Sequence, residues 1–469
     1  LDRSSAASDV YKRQTKDFGI FAITLKGRKM GFRRDVYLKR LIVRENNGLI
    51  KIITGTRRAG KSYLMNRIFY EYLKNKGISE NQVIKFAFDS DEDIDLLDPF
   101  FPEEENCLMQ KNGTYLVNAK KFRAFIKEKT NECDTFYLLL DEVQLLENFV
   151  GTLNGFLRHE NFDIYVTGSN SKFLSSDIIT EFKGRGSEVH ILPLSFSEYC
   201  EGLSLKPEDA WKSYIVTGGI PLVALMKTDE ERFSYLKNLC EETYLKDIIE
   251  HNGIRKQAEL AETFDMLSSM IGSPVNALKL ANTFKTLTKK EISDSTITTF
   301  IGYFEDAFLV SKAKKFSIKG KRYISSPFKI YFEDMGVRNA RLNFRQIEET
   351  HIMENILYNE LRYRGFLVDV GEVNINEKTE RIDANGKNIY AQKQLEVDFI
   401  ANSGNQKFYI QSALGMDSAE KEIQEKKSLY NIGDSFKKIV ITKNNLKSSV
   451  DEKGVVTVDL FDFLLKFDF

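Results

Sequence analysis

The run Leu49-Ile50-Lys51-Ile52-Ile53-Thr54 stops at a glycine, and a second glycine stands five residues on, in Gly55-Thr56-Arg57-Arg58-Ala59-Gly60-Lys61-Ser62. A stretch of helical period then continues to about Asn75. Strand, glycine-framed loop and helix in that order, with the spacing G-x-x-x-x-G-K-[ST], select a phosphate-binding loop on a parallel α/β sheet. The residue types follow from the task. Gly55 and Gly60 let the chain wrap so that backbone N–H groups point at phosphate oxygens, and the helix N-terminus adds a favourable dipole. Thr56, Arg57, Arg58 and Ala59 line the same loop, Lys61 would reach the β- and γ-phosphates, and Ser62 would offer a hydroxyl to Mg²⁺.

A second strand, Phe136-Tyr137-Leu138-Leu139-Leu140, ends in Asp141-Glu142. Tandem acids at the end of a buried strand suit a nucleotide hydrolase: Asp141 for Mg²⁺, Glu142 to polarise the attacking water. A third run, Phe162-Asp163-Ile164-Tyr165-Val166, leads into Thr167-Gly168-Ser169-Asn170-Ser171. Ligands of open α/β sheets sit beyond such strand ends, so Ser169 or Asn170 is a candidate to orient the lytic water. Arg185, in Lys183-Gly184-Arg185-Gly186, is a candidate arginine finger, in cis or across a subunit interface, with a solvated surface arginine as the plain alternative.

At 469 residues the chain is long enough for about three domains. Lys plus Arg (68) equals Asp plus Glu (68), so the overall charge singles out neither nucleic acid nor membrane. The cysteines Cys107, Cys133, Cys200 and Cys240 and the histidines His159, His190, His251 and His351 show no metal-ligand spacing and fit a reducing cytoplasm. No apolar run approaches a membrane span. Asp9-Val10-Tyr11-Lys12-Arg13-Gln14 reads like a translated transposase adaptor from library preparation, so residues 1–29 are set aside as non-native or as a disordered tail.

The chain resembles the bacterial and archaeal AAA-type ATP-binding proteins that carry a C-terminal domain of unknown function. The resemblance rests on the loop with its double arginine, on Leu139-Leu140-Asp141-Glu142-Val143-Gln144, on Thr167-Gly168-Ser169-Asn170-Ser171 and on Leu192-Pro193-Leu194-Ser195-Phe196-Ser197-Glu198-Tyr199. It extends through Gly218-Gly219-Ile220-Pro221 to near the C-terminus. It implies an ATPase with an AAA-like core, and a lid turn at Gly219-Ile220-Pro221 that senses the nucleotide; a proline that simply starts a helix is the alternative.

Beyond Ser197 the spacing is helical to about Ile271, a lid and connecting bundle. Helices at Ala277–Leu287 and Ser293–Glu305 and strands at Phe308–Phe316 and Lys321–Ser325 then read as a winged helix. Lys312, Lys314, Lys315, Lys319, Lys321 and Arg322 make its hairpin basic, a candidate contact with duplex DNA phosphate. The last segment suggests a helix at Glu354–Tyr363 and strands at Phe366–Val370, Leu395–Ala401, Lys407–Gln411 and Lys438–Thr442. Glu396-Val397-Asp398 followed by Gln411-Ser412-Ala413 resembles a PD-(D/E)xK nuclease in which Gln411 replaces the second acid and Ala413 the lysine, so little or no cutting is expected. Glu354 is the residue that could restore a ligand.

The expected architecture is α/β: a P-loop NTPase domain over residues 30–197, a helical lid over 198–271, a winged helix over 272–345 and a degenerate nuclease-like domain over 346–469. The expected function is ATP hydrolysis with Mg²⁺ as a conformational switch. The alternatives are a non-hydrolysing interaction or DNA-binding protein with ATP as structural ligand, and an ATP-dependent nuclease. A protein partner for the C-terminal domain, homo-oligomerisation and a cytoplasmic location complete the expectations.

Overall fold

The computed structural model describes residues 31–466 except 111–114, 169–181, 183, 383–387 and 444–447, together with two short strands at Thr24–Leu25 and Arg28–Lys29. Five parallel strands form the first sheet: β1 (Ile50–Thr54), β2 (Val83–Ala87), β3 (Phe136–Asp141), β4 (Phe162–Thr167) and β5 (Gly186–His190), in the order β2-β3-β4-β1-β5. β1, β3 and β4 are near-continuous apolar runs because helices cover both faces of the sheet. One face presents Phe86, Leu138, Leu140 and Ile164 to a core that includes Phe122, and the other presents Leu139 to Leu64, Met65 and Phe69. Helix α1 (Asp35–Ile42) precedes the sheet, and helix α2 (61–75) follows the loop and carries a π-helical stretch at Leu64–Phe69.

The lid is helical, as its spacing predicts. Its α3 run, residues 229–252, joins Asp229–Asn238, a π-helical stretch Leu239–Leu245 and Lys246–Asn252. The Leu192-to-Tyr199 segment is a structural knot. Ser195 caps the helix Phe196–Leu203 in a reciprocal capping box with Glu198, whose carboxylate is ion-paired at 2.8 Å with buried Arg34, just ahead of α1.

The remainder departs from the expected division. A second sheet of nine strands runs through it: β6 (Pro274–Val275), β7 (Val310–Ser317), β8 (Arg322–Phe332), β9 (Leu367–Ile382), β10 (Asn388–Ser403), β11 (Gln406–Ala413), β12 (Lys437–Thr442), β13 (Ser449–Val450) and β14 (Val455–Asp459). The two helices and hairpin expected over 272–345 are present, but the hairpin is not a free wing. β7 pairs in parallel with β9, Lys315 opposite Val370, so the boundary at 345/346 falls inside one sheet. One apolar core also joins Phe32, Leu194, Phe264, Phe332, Leu357 and Leu464, so lid, hairpin and C-terminal segment fold against one another.

Three strands run well past the bounds read from the sequence. β8 runs on through Pro327 to Phe332 because the β7 ladder is interrupted between Ala313 and Lys315, where a residue lacking an N–H costs no bond. β9 and β10 extend well past their apolar segments as a ribbon exposed over 388–394, where no alternation of apolar residues marks a strand.

Candidate functional site

The loop between β1 and α2 has the tight wrap its glycines allow. Gly55 sits at φ +137°, and a Cβ there would lie 2.2 Å from the Ile191 carbonyl oxygen, so no other residue fits. Lys61 is 5 % exposed and its ammonium donates to the carbonyls of Gly55 (2.9 Å) and Thr56 (3.0 Å). Neutral carbonyls compensate poorly for lost water: burial pushes Lys61 down to about 8, against the pull of Glu142 and Asp141.

Strand order brings the acids to the loop. β4 lies between β1 and β3, so Thr167 at its end donates to the Asp141 carboxylate, and Asn66 of α2 donates to the other oxygen at 3.2 Å. The Ser62 hydroxyl also bonds to Asp141, whose carboxyl is raised by burial and by Glu142. A buried carboxylate and a hydroxyl side by side are the oxygen donors a small hard cation takes, so Ser62 and Asp141 fit Mg²⁺. Glu142 has a left-handed backbone (φ 53°), rare for a non-glycine residue, and its carboxylate accepts from Gln144 Nε2. Asp89, in the turn after β2, is a third acid missed in the sequence; desolvation, then Glu142 and Asp141, push it up to about 6. An aspartate two residues past an apolar strand was the available signal.

The helical segment that follows the sheet packs against this loop. Pro221 stands at the loop: a Cβ on Gly60 would be 3.9 Å from its ring. The turn ahead of it is held by the C-terminal region, since Gly219 N–H donates to Asp334 at 2.7 Å while the other Asp334 oxygen accepts from Val337 N–H at 3.0 Å. Gly218, at φ +71°, has no room for a side chain against that carboxylate. Burial raises Asp334 to about 6. Its neighbour Glu333 bonds His190 at 3.0 Å, and His190 in turn contacts Thr54 at the end of β1 at 3.1 Å. Burial alone would raise Glu333, but His190 and Arg362 overrule it and hold its carboxyl below the usual range. Glu333-Asp334 after an apolar strand repeats the pattern of Asp141-Glu142, a signal that sequence reasoning passed over.

Ser169 and Asn170 lie outside the described residues. Arg185 is exposed and leads into β5 at the end opposite the loop, its carbonyl accepting from Ile50 N–H. The length of β1 separates it from the phosphate site, which excludes the arginine finger in cis.

The C-terminal carboxylates form a different site. Lys329 on β8, 3 % exposed, has its ammonium 2.8 Å from Glu354, 2.6 Å from Glu396 and 3.9 Å from Asp398. Helix α4 (Glu349–Tyr363) supplies Glu354, which also accepts from the Tyr331 hydroxyl at 2.6 Å. Asp398 accepts from Ser412 N–H at 2.8 Å and is raised by burial and by Glu354, with Lys329 opposing. Gln411 accepts from the Ser428 hydroxyl at 3.4 Å, and Ala413 is buried in the core. Of the basic hairpin, Lys315 is spent on Glu372 (3.1 Å) and Lys319 on the Asn374 carbonyl (2.7 Å). Among the described residues no helix is long and apolar enough to cross a membrane.

An uncharacterized protein of Haemophilus influenzae is 28 % identical over 440 residues, covering 92 % of this chain and 98 % of its own length. An uncharacterized protein of Methanocaldococcus jannaschii is 28 % identical over 349 residues, 71 % of each chain. Among solved structures, the Aeropyrum pernix ORC1 protein in complex with DNA aligns with 67 % of this chain and 93 % of its own at 11 % identity and a TM-score of 0.29. AMPPCP-bound DnaA from Aquifex aeolicus aligns with 62 % and 93 % at 17 % identity and a TM-score of 0.29. The AAA domain family matches residues 47–200 and a domain of unknown function matches residues 208–348. With its glycine-framed loop, parallel sheet and paired acids, the 47–200 segment of this chain is similar to the AAA domain family.

Proposed function

We propose that the protein binds ATP in the Gly55–Ser62 loop, hydrolyses it slowly, and uses the bound state to set the lid against the C-terminal sheet. The observation that carries this reading is Lys61, buried on two neutral carbonyls and facing Asp141 and Glu142. Burial outweighs the pull of those acids on its charge, and phosphate oxygens are ligands that would compensate it. Backbone N–H groups of the loop would hold the β-phosphate, while Ser62 and Asp141 would hold Mg²⁺, which would supply charge neutralisation at the γ-phosphate. Glu142 would take the proton of the attacking water.

Phosphate release and nucleotide binding by the wild type, Lys61→Ala and Glu142→Gln test this. Release should vanish in both variants, with ATP retained only by Glu142→Gln. Binding without release in the wild type would instead favour ATP as a structural ligand, a reading supported by the hold of Gln144 on Glu142. The position of Lys329 among the C-terminal carboxylates supports a non-cutting C-terminal region, its ammonium standing where a nuclease would need a metal ion. Lys314, Lys321 and Arg322 remain exposed on the hairpin as a candidate contact for duplex DNA, to be tested by adding DNA to the same assay.

A further inference from the structure

The helical segment holds the side chain of Arg57 directly. Its guanidinium is ion-paired with Asp247 of α3 at 2.5 Å, and its carbonyl accepts from the Tyr244 hydroxyl of the same run at 2.8 Å. The pair bridges 190 residues of sequence and is only about one-third exposed on either side (34 % and 31 %). The charge of Arg57 also opposes protonation of Lys61 and stabilises the Asp89 carboxylate, so the guanidinium lies within electrostatic reach of the loop lysine and the acids. Asp247, in turn, is raised by burial, and Glu250 and Glu142 push the same way against the pull of Arg57. Losing Arg57 would leave Asp247 a half-buried carboxylate among other acids.

We infer that Arg57 is the γ-phosphate-binding arginine of this site and that Asp247 holds its place when no triphosphate is bound. This rests on the nucleotide reading above. A planar guanidinium pairs with a phosphate as it does with a carboxylate, and the γ-phosphate carries more charge than Asp247. Triphosphate therefore competes for Arg57. Asp247 is released toward solvent, and α3 keeps its second contact through Tyr244 and the loop carbonyl. A diphosphate ends one group short and leaves the ion pair closed. The exchange gives the lid a way to distinguish ATP from ADP, and it puts in the loop itself a cation that Arg185 is too distant to supply.

The test measures binding of a non-hydrolysable ATP analogue and of ADP to the full chain, as wild type, Asp247→Asn, Arg57→Ala and the double variant. Asp247→Asn is nearly isosteric and lies at a position about one-third exposed, so it should fold. It should bind the triphosphate analogue about two- to fivefold more tightly, the worth of a partly exposed ion pair, with ADP unchanged. Arg57→Ala should lose the preference for triphosphate, the double variant should match it, and turnover should fall about 10³-fold. Equal effects of Asp247→Asn on both nucleotides, or an intact preference in Arg57→Ala, would overturn the inference alone. A wild type that binds neither nucleotide would overturn the ATP reading and this one together.

Discussion

Lys61 and Lys329 are both buried lysines beside carboxylates, and they end in opposite electrostatic states. Lys61 is bonded to two neutral carbonyls, with the acids acting from a distance, so burial wins and its ammonium is pushed down to about 8. Burial would lower Lys329 too, but Glu354, Asp398 and Glu396 surround it closely and raise it above the usual lysine range. One cation is left short of counter-charge and open to an anionic ligand; the other is saturated. A lysine among acids marks a binding site only when its direct hydrogen bonds go elsewhere.

The largest expected effect tests the saturated lysine. Lys329→Met leaves three buried or half-buried carboxylates without their cation and should cost about 3–5 kcal/mol in urea unfolding, whereas Lys61→Met should change stability by about 1 kcal/mol or less and abolish nucleotide binding. If both variants lose stability alike, the contrast is broken.

Asp334 sharpens it as a buried charge with only backbone donors. Its folded value of about 6 lies above the ordinary one of about 3.9. The stability it contributes is therefore fully present below about pH 3.9 and lost as pH rises through about 6. Denaturation of the wild type against Asp334→Asn should show a pH-dependent difference of about 2 kcal/mol between about pH 4 and 7. A constant difference would mean that the carboxyl does not titrate there.

Lys61 itself should impose a decline in triphosphate affinity above pH of about 8, approaching tenfold per unit, because the free site loses its ammonium in that range. Lys61→Arg, which stays charged, should lack the decline; an unchanged profile would argue that the acids hold Lys61 protonated after all. The smallest effect concerns the hairpin. With Lys315 and Lys319 already committed, any binding of duplex DNA should release counterions for only about three phosphates, read as a shallow slope of affinity against salt. A slope near six would return the whole hairpin to solution.

The phosphate site was largely legible in the chain because its parts are local. Gly55, Gly60, Lys61 and Ser62 lie within one strand-loop-helix unit, and Asp141-Glu142 closes one buried strand, so period and residue type suffice. The five-residue apolar run Phe328-Lys329-Ile330-Tyr331-Phe332 was missed as a strand because Ser325-Ser326-Pro327 interrupts it, and its lysine, the one charge in a buried run, was the sign of the cluster. The ribbon of β9 and β10 was shortened because strands exposed on both faces carry no apolar alternation.

Residue order alone thus determined the sheet, the loop and the acids that would serve a nucleotide. Tertiary structure decided which charges are free to serve it. Arg57 meets Asp247 across 190 residues, Gly219 meets Asp334 across 115, and Lys329 meets Glu354 across 25 and Glu396 across two intervening strands of the sheet. A pKa depends on the nearest charges and on lost water, and both are set by packing between elements whose spacing along the chain says nothing of their distance in space.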